Sequence, residues 1–299
     1  MIRGTGDART PHVAVIGGGH GLAVTIRAVR EYAGRTTAVV ATADDGGSTG
    51  RLRSGMALPA PGDLRRCLVA MAGAEDHPLG QALEYRFGGT DVEGHALGNL
   101  LLAGLAAVTG DFLAATDEVA RLLGVDPSHA RVMPATTDPV QLRATTLTGE
   151  VITGQVAVST TEGISRVNLV PPGVKAPDGL STEVRDADQI VLGPGSLYTS
   201  ILAAAVVGDL REAVRTSMAQ RVYVCNLRAE AAETRGYDVA RHVAALRDHG
   251  VEPDVVLVQA NGQLKLGDVG ADVVIADMAR PHGMAHDSTK LAVALAGLL

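Results

Sequence analysis

The chain has 299 residues, of which 36 are glycine, five are tyrosine, two are phenylalanine and none is tryptophan. Glycine exceeds its average share of about 7%, whereas so few aromatic rings argue against a platform that stacks single-stranded nucleic acid. The net charge of -7 also argues against a broad electrostatic attraction to nucleic acid. Because 46% of the residues are hydrophobic, we expect a folded core built mainly from Ala, Val and Leu.

The compartment is inferred from what the sequence lacks. Cys67 and Cys225 lie far apart and indicate neither a disulfide framework nor a metal-binding spacing. No segment has the pattern of a signal peptide or the length of a membrane span, so we expect a cytoplasmic protein. Residues 1–11 are predicted to be disordered and residues 12–299 to form one domain.

The hydrophobic pattern of the first half alternates strand and helix. His12–Ile16 is a short apolar run that stops at three glycines, Leu22–Tyr32 has helical spacing, and Thr36–Thr42 is rich in β-branched residues. Strand, glycine turn, helix and strand make a βαβ unit, which implies a parallel sheet. Further helices are predicted at Leu64–Met71, Leu79–Phe87, Leu97–Val108 and Phe112–Leu123.

The second half returns to strands. Residues 131–170 alternate Val, Thr, Leu and Ile around a Thr148-Gly149 turn, which predicts a β-hairpin or meander. Later elements are predicted at Gln189–Leu192, Arg221–Cys225, Val255–Val258, Val273–Ala276 and, as a closing helix, Ser288–Leu299. We therefore expect an α/β fold with a Rossmann-like, doubly wound, mostly parallel sheet that carries a helical and β-hairpin insertion.

The first candidate ligand loop is GGGHGL (residues 17–22), between a predicted strand and a predicted helix. Glycines let the backbone approach an anion closely, and a helix N-terminus offers free N–H groups. The spacing is not that of the dinucleotide fingerprint, because Leu22 stands where the third glycine would be. The alternative is a packing role for a glycine-rich turn between strand and helix. The residues predicted to bind ligand phosphates are Gly18, Gly19, His20 and Gly21.

The second candidate loop is ADDGGSTGRLR (residues 43–53), after the second predicted strand. Its carboxylates suit a metal or a hydroxyl, and its N–H groups and arginines suit a phosphate. An NAD site would use an acidic residue here for ribose but would leave the following glycines, hydroxyls and arginines unexplained. An ordinary solvated loop is the other alternative. The predicted contacts are Asp44, Asp45, Gly46, Ser48, Thr49 and Arg51.

Two predicted helix starts carry further candidates. In PGDLRRCL (residues 61–68), Asp63 is either a helix cap or a ligand contact, with Arg66 beside it. In GHALGN (residues 94–99), His95 and Asn99 are four residues apart and share a helix face. Both are predicted ligand contacts, with a structural histidine as the alternative.

Two loops of the second half follow predicted strands, where open α/β sheets bind ligands. From GPGSLYTS (residues 193–200) the candidates are Gly193, Gly195, Ser196, Tyr198 and Thr199. From NLRAEAAET (residues 226–234) they are Asn226 and Glu233. Capping of a helix or a solvated helix face would also explain these residues. His282 and His286, near Arg280, are scattered and give weak evidence.

Several catalytic motifs are missing from the sequence. It has no G-x-x-x-x-G-K-[ST] phosphate loop and no G-x-S-x-G nucleophile elbow. Neither cysteine has an obvious His/Asp partner set, and no His/Cys spacing indicates a structural zinc. No catalytic residue is therefore assigned.

Taken together, the motifs resemble the YvcK/CofD-like family, most closely its YvcK branch, the gluconeogenesis factors, also called CuvA-like in some bacteria. They span nearly the whole chain in order. The segments that carry the resemblance are GGGHGL (17–22), ADDGGSTGRLR (43–53), PGDLRRCL (61–68), GHALGNLLLAGL (94–105), GQVAVSTTEG (154–163), ADQIVLGPGSLYTSI (187–201), NLRAEAAET (226–234) and HDSTKLA (286–292).

The resemblance implies a Rossmann-like CofD fold and three functional hypotheses. The first is a regulatory protein that binds UDP-N-acetylglucosamine and is required for cell morphogenesis under gluconeogenic growth. The second is a CofD-like phospholactate transferase, which acts on Fo in the biosynthesis of the cofactor F420. The third, an NAD-binding enzyme, lacks support from the glycine spacing.

The resemblance also implies a metal and partners. Carboxylates matching the Asp44/Asp45 region and Asp63 bind metal in CofD enzymes, so Asp45 and Asp63 are the predicted metal ligands. No cofactor is required, although Mg²⁺ would accompany a nucleotide ligand. A nucleotide sugar or related nucleotide is the expected small-molecule partner, and a homo-oligomer, a dimer, the expected assembly. Many members carry Arg where this chain has Ala285. If that Arg binds the ligand's phosphates, Arg280 would have to replace it, or the affinity would fall.

Overall fold

A computed structural model describes residues 10–89, 91–230 and 232–299. Disorder was predicted for residues 1–11, and residues 1–9 of that segment lie outside the described residues. The strands are β1 (His12–Gly17), β2 (Arg35–Val40), β3 (Ala130–Pro134), β4 (Gln141–Thr146), β5 (Val151–Thr153), β6 (Ile164–Val170), β7 (Gln189–Leu192), β8 (Gln220–Val224), β9 (Val255–Gln259) and β10 (Asp272–Ala276).

The main sheet is parallel throughout. Among the described residues it has seven strands in the order β10-β9-β8-β7-β1-β2-β3, and every neighbouring pair is parallel. The chain leaves β1 towards β2 and β3 on one side and later returns to place β7 on the other. The strand order therefore reverses between β1 and β7, the kind of point at which open α/β sheets bind ligands.

Helices connect these strands. They are α1 (Gly19–Val29), α2 (Gly47–Gly55), α3 (Pro61–Ala72), α4 (Pro78–Glu84), α5 (Leu97–Thr109), α6 (Phe112–Leu122), α7 (Gln155–Ser159), α8 (Leu180–Arg185), α9 (Ala203–Ala205), α10 (Gly208–Thr216), α11 (Val239–Asp248) and α12 (Ser288–Ala296), with a π-helical turn at Leu197–Leu202. In the part of the chain that the structure describes, no helix has the length and apolar character needed to cross a bilayer.

The core has two layers because side chains alternate along each strand. On β1, Val13 and Val15 join a buried cluster with residues of α1, α3 and α12 on one face of the sheet. Ala14 and Ile16 point the other way and join a cluster with residues of the π-helical turn, α10 and α11. Helices thus cover both faces, which confirms the predicted doubly wound α/β fold.

Three local predictions need correction. The region predicted as a meander, residues 131–170, contributes to two sheets. β4, β5 and β6 form a three-stranded antiparallel sheet in the order β5-β4-β6, whereas β3 pairs with β2 in the main sheet. Residues 155–159, expected in a strand, form α7. Residues 47–55, expected in a loop, form α2. The Thr148-Gly149 turn lies between β4 and β5, as predicted.

Candidate functional site

The loops that follow β1 and β7 meet at the point where the strand order reverses. A Cβ added to Gly21 would lie 2.0 Å from the carbonyl oxygen of Pro194, so only glycine permits this contact. Thr25 Oγ1 in α1 donates a hydrogen bond to the carbonyl oxygen of Gly193 at 2.8 Å. The Gly195 N–H donates to Asn226 Oδ1, in the segment after β8, at 3.2 Å. Three of the predicted loops therefore adjoin one another.

Asp63 connects the glycine loop to α3. Its Oδ2 accepts a hydrogen bond from the Gly19 N–H at 2.7 Å, and its Oδ1 accepts one from Arg66 Nη1 at 2.8 Å. Burial raises the pKa of Asp63, and Arg66 opposes that rise. The N-cap of α3 is Ala60, without a side-chain bond, so the capping alternative for Asp63 was wrong. The carboxylate instead lies where an anion would meet the N-terminus of α1.

A polar cavity of about 300 Å³ opens beside Asp63; we call it the Asp44 cavity. It collects residues from the loop after β2 and from α2, α3 and α5. Its principal polar lining consists of Asp44, Ser48, Thr49, Asp63, Arg66 and Asn99. The Gly46 N–H donates to Asp44 Oδ1 at 3.0 Å, which fixes the Asp44 side chain. The structure thus brings together three segments that are separate in sequence.

A hydrogen-bond chain fixes the Ser48 hydroxyl at the first turn of α2. Asn99 Nδ2 donates to Ser48 Oγ at 3.1 Å, and His95 Nδ1 lies 3.0 Å from the same oxygen. Arg51 Nε donates to His95 Nε2 at 3.3 Å, so the ring proton belongs on Nδ1 and points to Ser48. Burial and then Arg51 lower the pKa of His95, consistent with a neutral ring. Two donors therefore meet Ser48 Oγ, and no base among the described residues accepts its proton.

The buried Arg65 supports this chain from behind. Its Nη1 donates to Asn99 Oδ1 at 2.6 Å, and its Nε and Nη2 donate to the Glu84 carboxylate at 3.1 and 2.9 Å. The Arg65 side chain is 1% exposed. Because a buried guanidinium needs all its partners, α3, α4 and α5 are held in register.

Two predicted contacts face elsewhere. Asp45 accepts from the Gln155 and Val156 N–H groups at 3.1 and 3.0 Å, so its carboxylate caps α7. Arg51 donates to the Glu93 carbonyl at 2.7 Å as well as to His95, and is exposed. The structure places Asp44, not Asp45, in the cavity with Asp63. The predicted ligand roles of Asp45 and Arg51 therefore give way to roles in holding α7 and the His95 segment.

A second cavity, of about 240 Å³, lies on the other side of the glycine loop; we call it the Glu230 cavity. Its lining includes His20, Gly21, Gly195, Asn226, Glu230 and His286. Ser196 Oγ donates to Glu230 Oε1 at 2.9 Å. Thr199 Oγ1 donates to Glu233 Oε1 at 3.3 Å behind it. The predicted residues Gly195, Ser196, Thr199, Asn226 and Glu233 do therefore converge.

The carboxyl groups of Glu230 and Glu233 interact. Glu233 is 1% exposed, and burial together with Glu230 raises its pKa to about 9. Its Oε2 has no hydrogen-bond partner among the described residues if both carboxyls are ionised. A proton on Glu233 gives that carboxyl a donor for Glu230, so the pair carries one negative charge at neutral pH.

A larger and more apolar cavity, of about 620 Å³, joins the first two; we call it the Tyr85 cavity. It contacts the side chains of Val24, Val69, Tyr85 and Arg280, and it shares Arg66 with the Asp44 cavity. It shares His20 and His286 with the Glu230 cavity. Burial, followed by the effect of Arg66, lowers the pKa of His20 and favours its neutral form. The three cavities therefore run side by side past the glycine loop.

Tyr198 does not line this cleft. It is 2% exposed, and its hydroxyl lies 3.1 Å from the Ile164 carbonyl oxygen and 3.0 Å from the Tyr237 hydroxyl. It therefore connects the π-helical turn to β6, which corrects its predicted ligand role. The ring that faces a cavity is Tyr85, which no motif contained.

Sequence reasoning missed or undervalued several lining residues. Glu230 lies in the candidate segment NLRAEAAET but is not among its predicted contacts, the sequence gives weak evidence for His286, and no motif contains Tyr85. Arg280 does lie in the same cavity as Ala285, as its suggested replacement role requires. The missing signal is three-dimensional, because the elements that carry these residues meet only in the folded sheet.

Comparisons with known proteins identify the family. The family profile described as 2-phospho-L-lactate transferase CofD matches residues 13–291. The chain belongs to the CofD family. Two curated relatives of this CofD-family chain, whose names contain the words gluconeogenesis factor, come from Mycobacterium tuberculosis and Bacillus subtilis. They are each 40% identical to it, over 97% and 80% of this chain and 90% and 75% of the relatives.

A solved structure supports the same assignment. The crystal structure of a UPF0052-family protein from Bacillus halodurans superposes with a TM-score of 0.89 at 34% identity. It covers 96% of this chain and 99% of that chain. The CofD match runs from β1 into α12 and includes every loop that lines the three cavities.

Proposed function

We propose that the protein binds a nucleotide sugar, UDP-N-acetylglucosamine, in the three cavities, and that it acts as a regulatory protein required for cell morphogenesis under gluconeogenic growth. The names of its relatives support the link to gluconeogenesis. We further propose that it works in the cytoplasm as a homodimer. Sedimentation velocity tests the dimer, which would be contradicted by a monomer at all concentrations.

The observation that carries the proposal is the sequence of chemical environments along the cleft. The Asp44 cavity offers Arg66, Arg86 and the first turn of α2 to phosphates. The Glu230 cavity offers hydrogen-bond acceptors and donors to hydroxyl groups. The Tyr85 cavity offers apolar side chains and one exposed aromatic ring. A nucleotide sugar combines phosphates, hydroxyls and a flat base in one molecule.

The regulatory part of the proposal rests on the chemistry of the same residues. Ser48 receives hydrogen bonds from Asn99 and His95, so neither activates it as a nucleophile. Both cysteines are buried, and burial raises the pKa of each thiol. The arrangement is better suited to holding a ligand than to attacking it.

Magnesium would accompany the phosphates. Mg²⁺ is usually held by one or two carboxylates together with substrate phosphates, and Asp44 and Asp63 line one cavity. Within the described residues, no group of three or more His, Cys, Asp or Glu side chains is placed to hold a metal ion. The oxygen donors thus fit an ion that arrives with the nucleotide, with Asp44 replacing Asp45 as the partner of Asp63.

Isothermal titration calorimetry with UDP-N-acetylglucosamine, with and without Mg²⁺, tests the proposal. We expect saturable binding that Asp44→Asn weakens in the presence of Mg²⁺. Glu118→Gln, on the distant helix α6, is the matched control and should bind as the wild type does. The absence of both heat and a thermal shift at millimolar ligand would contradict nucleotide-sugar binding.

A CofD-like phospholactate transferase is the second candidate, favoured by the family match and by the two carboxylates of the Asp44 cavity. A metal held there would neutralise charge on a transferred phosphoryl group. Chromatography of Fo with an activated phospholactate donor and Mg²⁺ decides the question. Product formed by the wild type but not by Asp63→Asn would establish turnover and displace the purely regulatory role.

A further inference from the structure

The Glu230 cavity contains unsatisfied polar groups whose hydrogen-bonding roles can be assigned. Asn226 Oδ1 accepts from the Gly195 N–H, which fixes the amide so that Nδ2 is a donor. That Nδ2 has no partner among the described residues. Asn226 therefore lines the cavity, with one uncommitted donor buried beside it.

His286 brings an uncommitted acceptor. The residue lines the cavity and is 7% exposed, and its buried Nε2 has no partner among the residues described. Burial lowers the pKa of His286 to about 4, so the ring is neutral at physiological pH. The ring also hydrogen-bonds the backbone of Cys225. With its one N–H committed to that bond, Nε2 is left with a lone pair.

Glu230 is the third member. Its Oε1 already accepts a hydrogen bond from Ser196 Oγ. The protonated carboxyl of Glu233 donates a hydrogen bond to Glu230, so the pair carries one negative charge instead of two. Glu230 lines the cavity and Glu233 does not. The wall thus presents an anionic acceptor, a neutral acceptor and a neutral donor. Arg228 lines the same cavity, and its Nη1 lies 2.7 Å from Met284 Sδ.

This set selects among the parts of a nucleotide sugar. A phosphate only accepts hydrogen bonds, so even one attracted to Arg228 would leave the acceptors Glu230 and His286 Nε2 unsatisfied, and Glu230 would repel it. A hydroxyl group both donates and accepts, so two neighbouring hydroxyls can satisfy all three side chains at once. His20 and Gly21, on the glycine loop between this cavity and the Asp44 cavity, line the same wall, so phosphates that reach that loop would lie next to these hydroxyls.

We propose that Glu230, Asn226 and His286 bind a vicinal diol of the nucleotide sugar, with Glu233 as a positioning residue that orients the Glu230 carboxylate. The inference rests on the proposed function and deepens it. The diol belongs either to the ribose or to the sugar beyond the phosphates, and the ligands below distinguish the two.

The test titrates UDP-N-acetylglucosamine, UDP and 2′-deoxy-UDP into the wild type, into Glu230→Gln and into Glu212→Gln. Glu212 lies on α10, is exposed and pairs with Arg215, so it controls for the loss of a carboxylate. We expect Glu230→Gln to weaken UDP-N-acetylglucosamine binding about tenfold or more, since hydrogen bonds to charged groups are among the stronger ones. Glu212→Gln should leave the affinity unchanged.

The ligand series locates the diol. If the diol is that of the ribose, UDP also binds Glu230→Gln more weakly than it binds the wild type. In that case 2′-deoxy-UDP binds the wild type weakly, and Glu230→Gln lowers its affinity no further. If it is the second sugar, UDP binds both proteins equally. Unchanged affinity of Glu230→Gln for every ligand would overturn the inference alone. Failure of the wild type to bind either UDP or the nucleotide sugar would overturn the proposed function as well.

The role of Glu233 has a separate readout. Glu233→Gln keeps an N–H group that can donate to Glu230 and should keep the affinity for UDP-N-acetylglucosamine. Glu233→Leu removes that donor and should lower the affinity. The wild-type affinity should change as the pH rises through about 9, where Glu233 ionises, and Glu233→Gln should abolish that change. Equal affinities for the two variants at every pH would show that Glu233 does not position Glu230.

Discussion

At the scale of single residues, the buried acid Glu233 makes stability depend on pH. Its ordinary pKa of 4.5 is raised to about 9, so between these values the folded chain holds a proton that the unfolded chain has released. The stabilisation is complete below pH 4.5 and is lost as the pH rises towards 9. Each pH unit in this window removes up to roughly 1.4 kcal/mol of folding free energy.

We therefore expect Glu233→Gln to gain stability relative to the wild type as the pH rises from 6 to 8.5, because its amide has no proton to lose. Urea unfolding at several pH values measures the difference. Glu212→Gln is the control and should run parallel to the wild type. A constant difference between Glu233→Gln and the wild type would show that Glu233 is already ionised at neutral pH.

The arginines of the cleft divide by what they contact. Arg66 lines two cavities and pairs with Asp63, whereas Arg51 donates its hydrogen bonds to the Glu93 carbonyl oxygen and to His95. Arg66→Gln should weaken nucleotide-sugar binding by about 1.5–3 kcal/mol, the range for a hydrogen bond to a charged group. Arg51→Gln should cost far less. Calorimetry on both variants checks this, and equal losses would place Arg51 at the phosphates after all.

The limits of sequence reasoning are visible in Asp44 and Asp45. The motif points to the loop as a whole, but adjacent side chains diverge, and only the fold shows which one faces the cavity. Asp45 is drawn away by α7, whose first N–H groups lie 110 and 111 residues further along the chain. No local pattern encodes a partner at that distance.

At the scale of elements, Asp45 joins the small sheet to the main one. Gly154, the N-cap of α7, has no side chain and a positive φ of 105°, so Asp45 supplies the missing cap. A Cβ on Gly154 would lie 2.6 Å from Asp45 Oδ2, which explains the glycine. Caps of this kind contribute about 1 kcal/mol each.

Asp45→Asn should therefore destabilise the protein by roughly 0.5–2 kcal/mol, since an amide accepts through one oxygen only. Hydrogen exchange should rise within residues 155–159. The matched change Asp44→Asn should spare that segment and weaken ligand binding in Mg²⁺ instead. Equal exchange at α7 in both variants would contradict the cap.

Elements with a strong hydrophobic period, such as α1, α6 and the sheet strands, were predictable, while α2 was not. Its nine residues include Gly47, Gly50 and Gly55, which disfavour a helix. The glycine at position 50 is required by a close backbone contact, because a Cβ there would lie 2.1 Å from the Asp45 carbonyl oxygen. Packing of this kind, and not helix propensity, determines that the segment is helical. The place of β3 was likewise not predictable. Its partner β2 lies about 95 residues earlier in the chain, so the local pattern placed β3 with the neighbouring hairpin strands.

At the scale of the whole molecule, the cleft forms because loops from both halves of the sheet meet at one edge. A ligand that bridges them binds the folded state alone and stabilises it by about 2.7 kcal/mol at 100 times its Kd. We expect UDP-N-acetylglucosamine to raise Tm by roughly 4 °C under that condition, because an unfolding entropy of about 2.1 cal/mol/K per residue is spread over 299 residues. Free N-acetylglucosamine, which lacks the phosphates, is the control; an equal shift with it would contradict a site built around the glycine loop.

A crystal structure with UDP-N-acetylglucosamine tests the central claim most directly. The account predicts phosphates within hydrogen-bonding distance of the glycine loop or Arg66, and hydroxyl groups on Glu230, Asn226 and His286. A ligand bound elsewhere, for instance in the groove between α6 and β3 lined by Arg121 and Arg131, would contradict it.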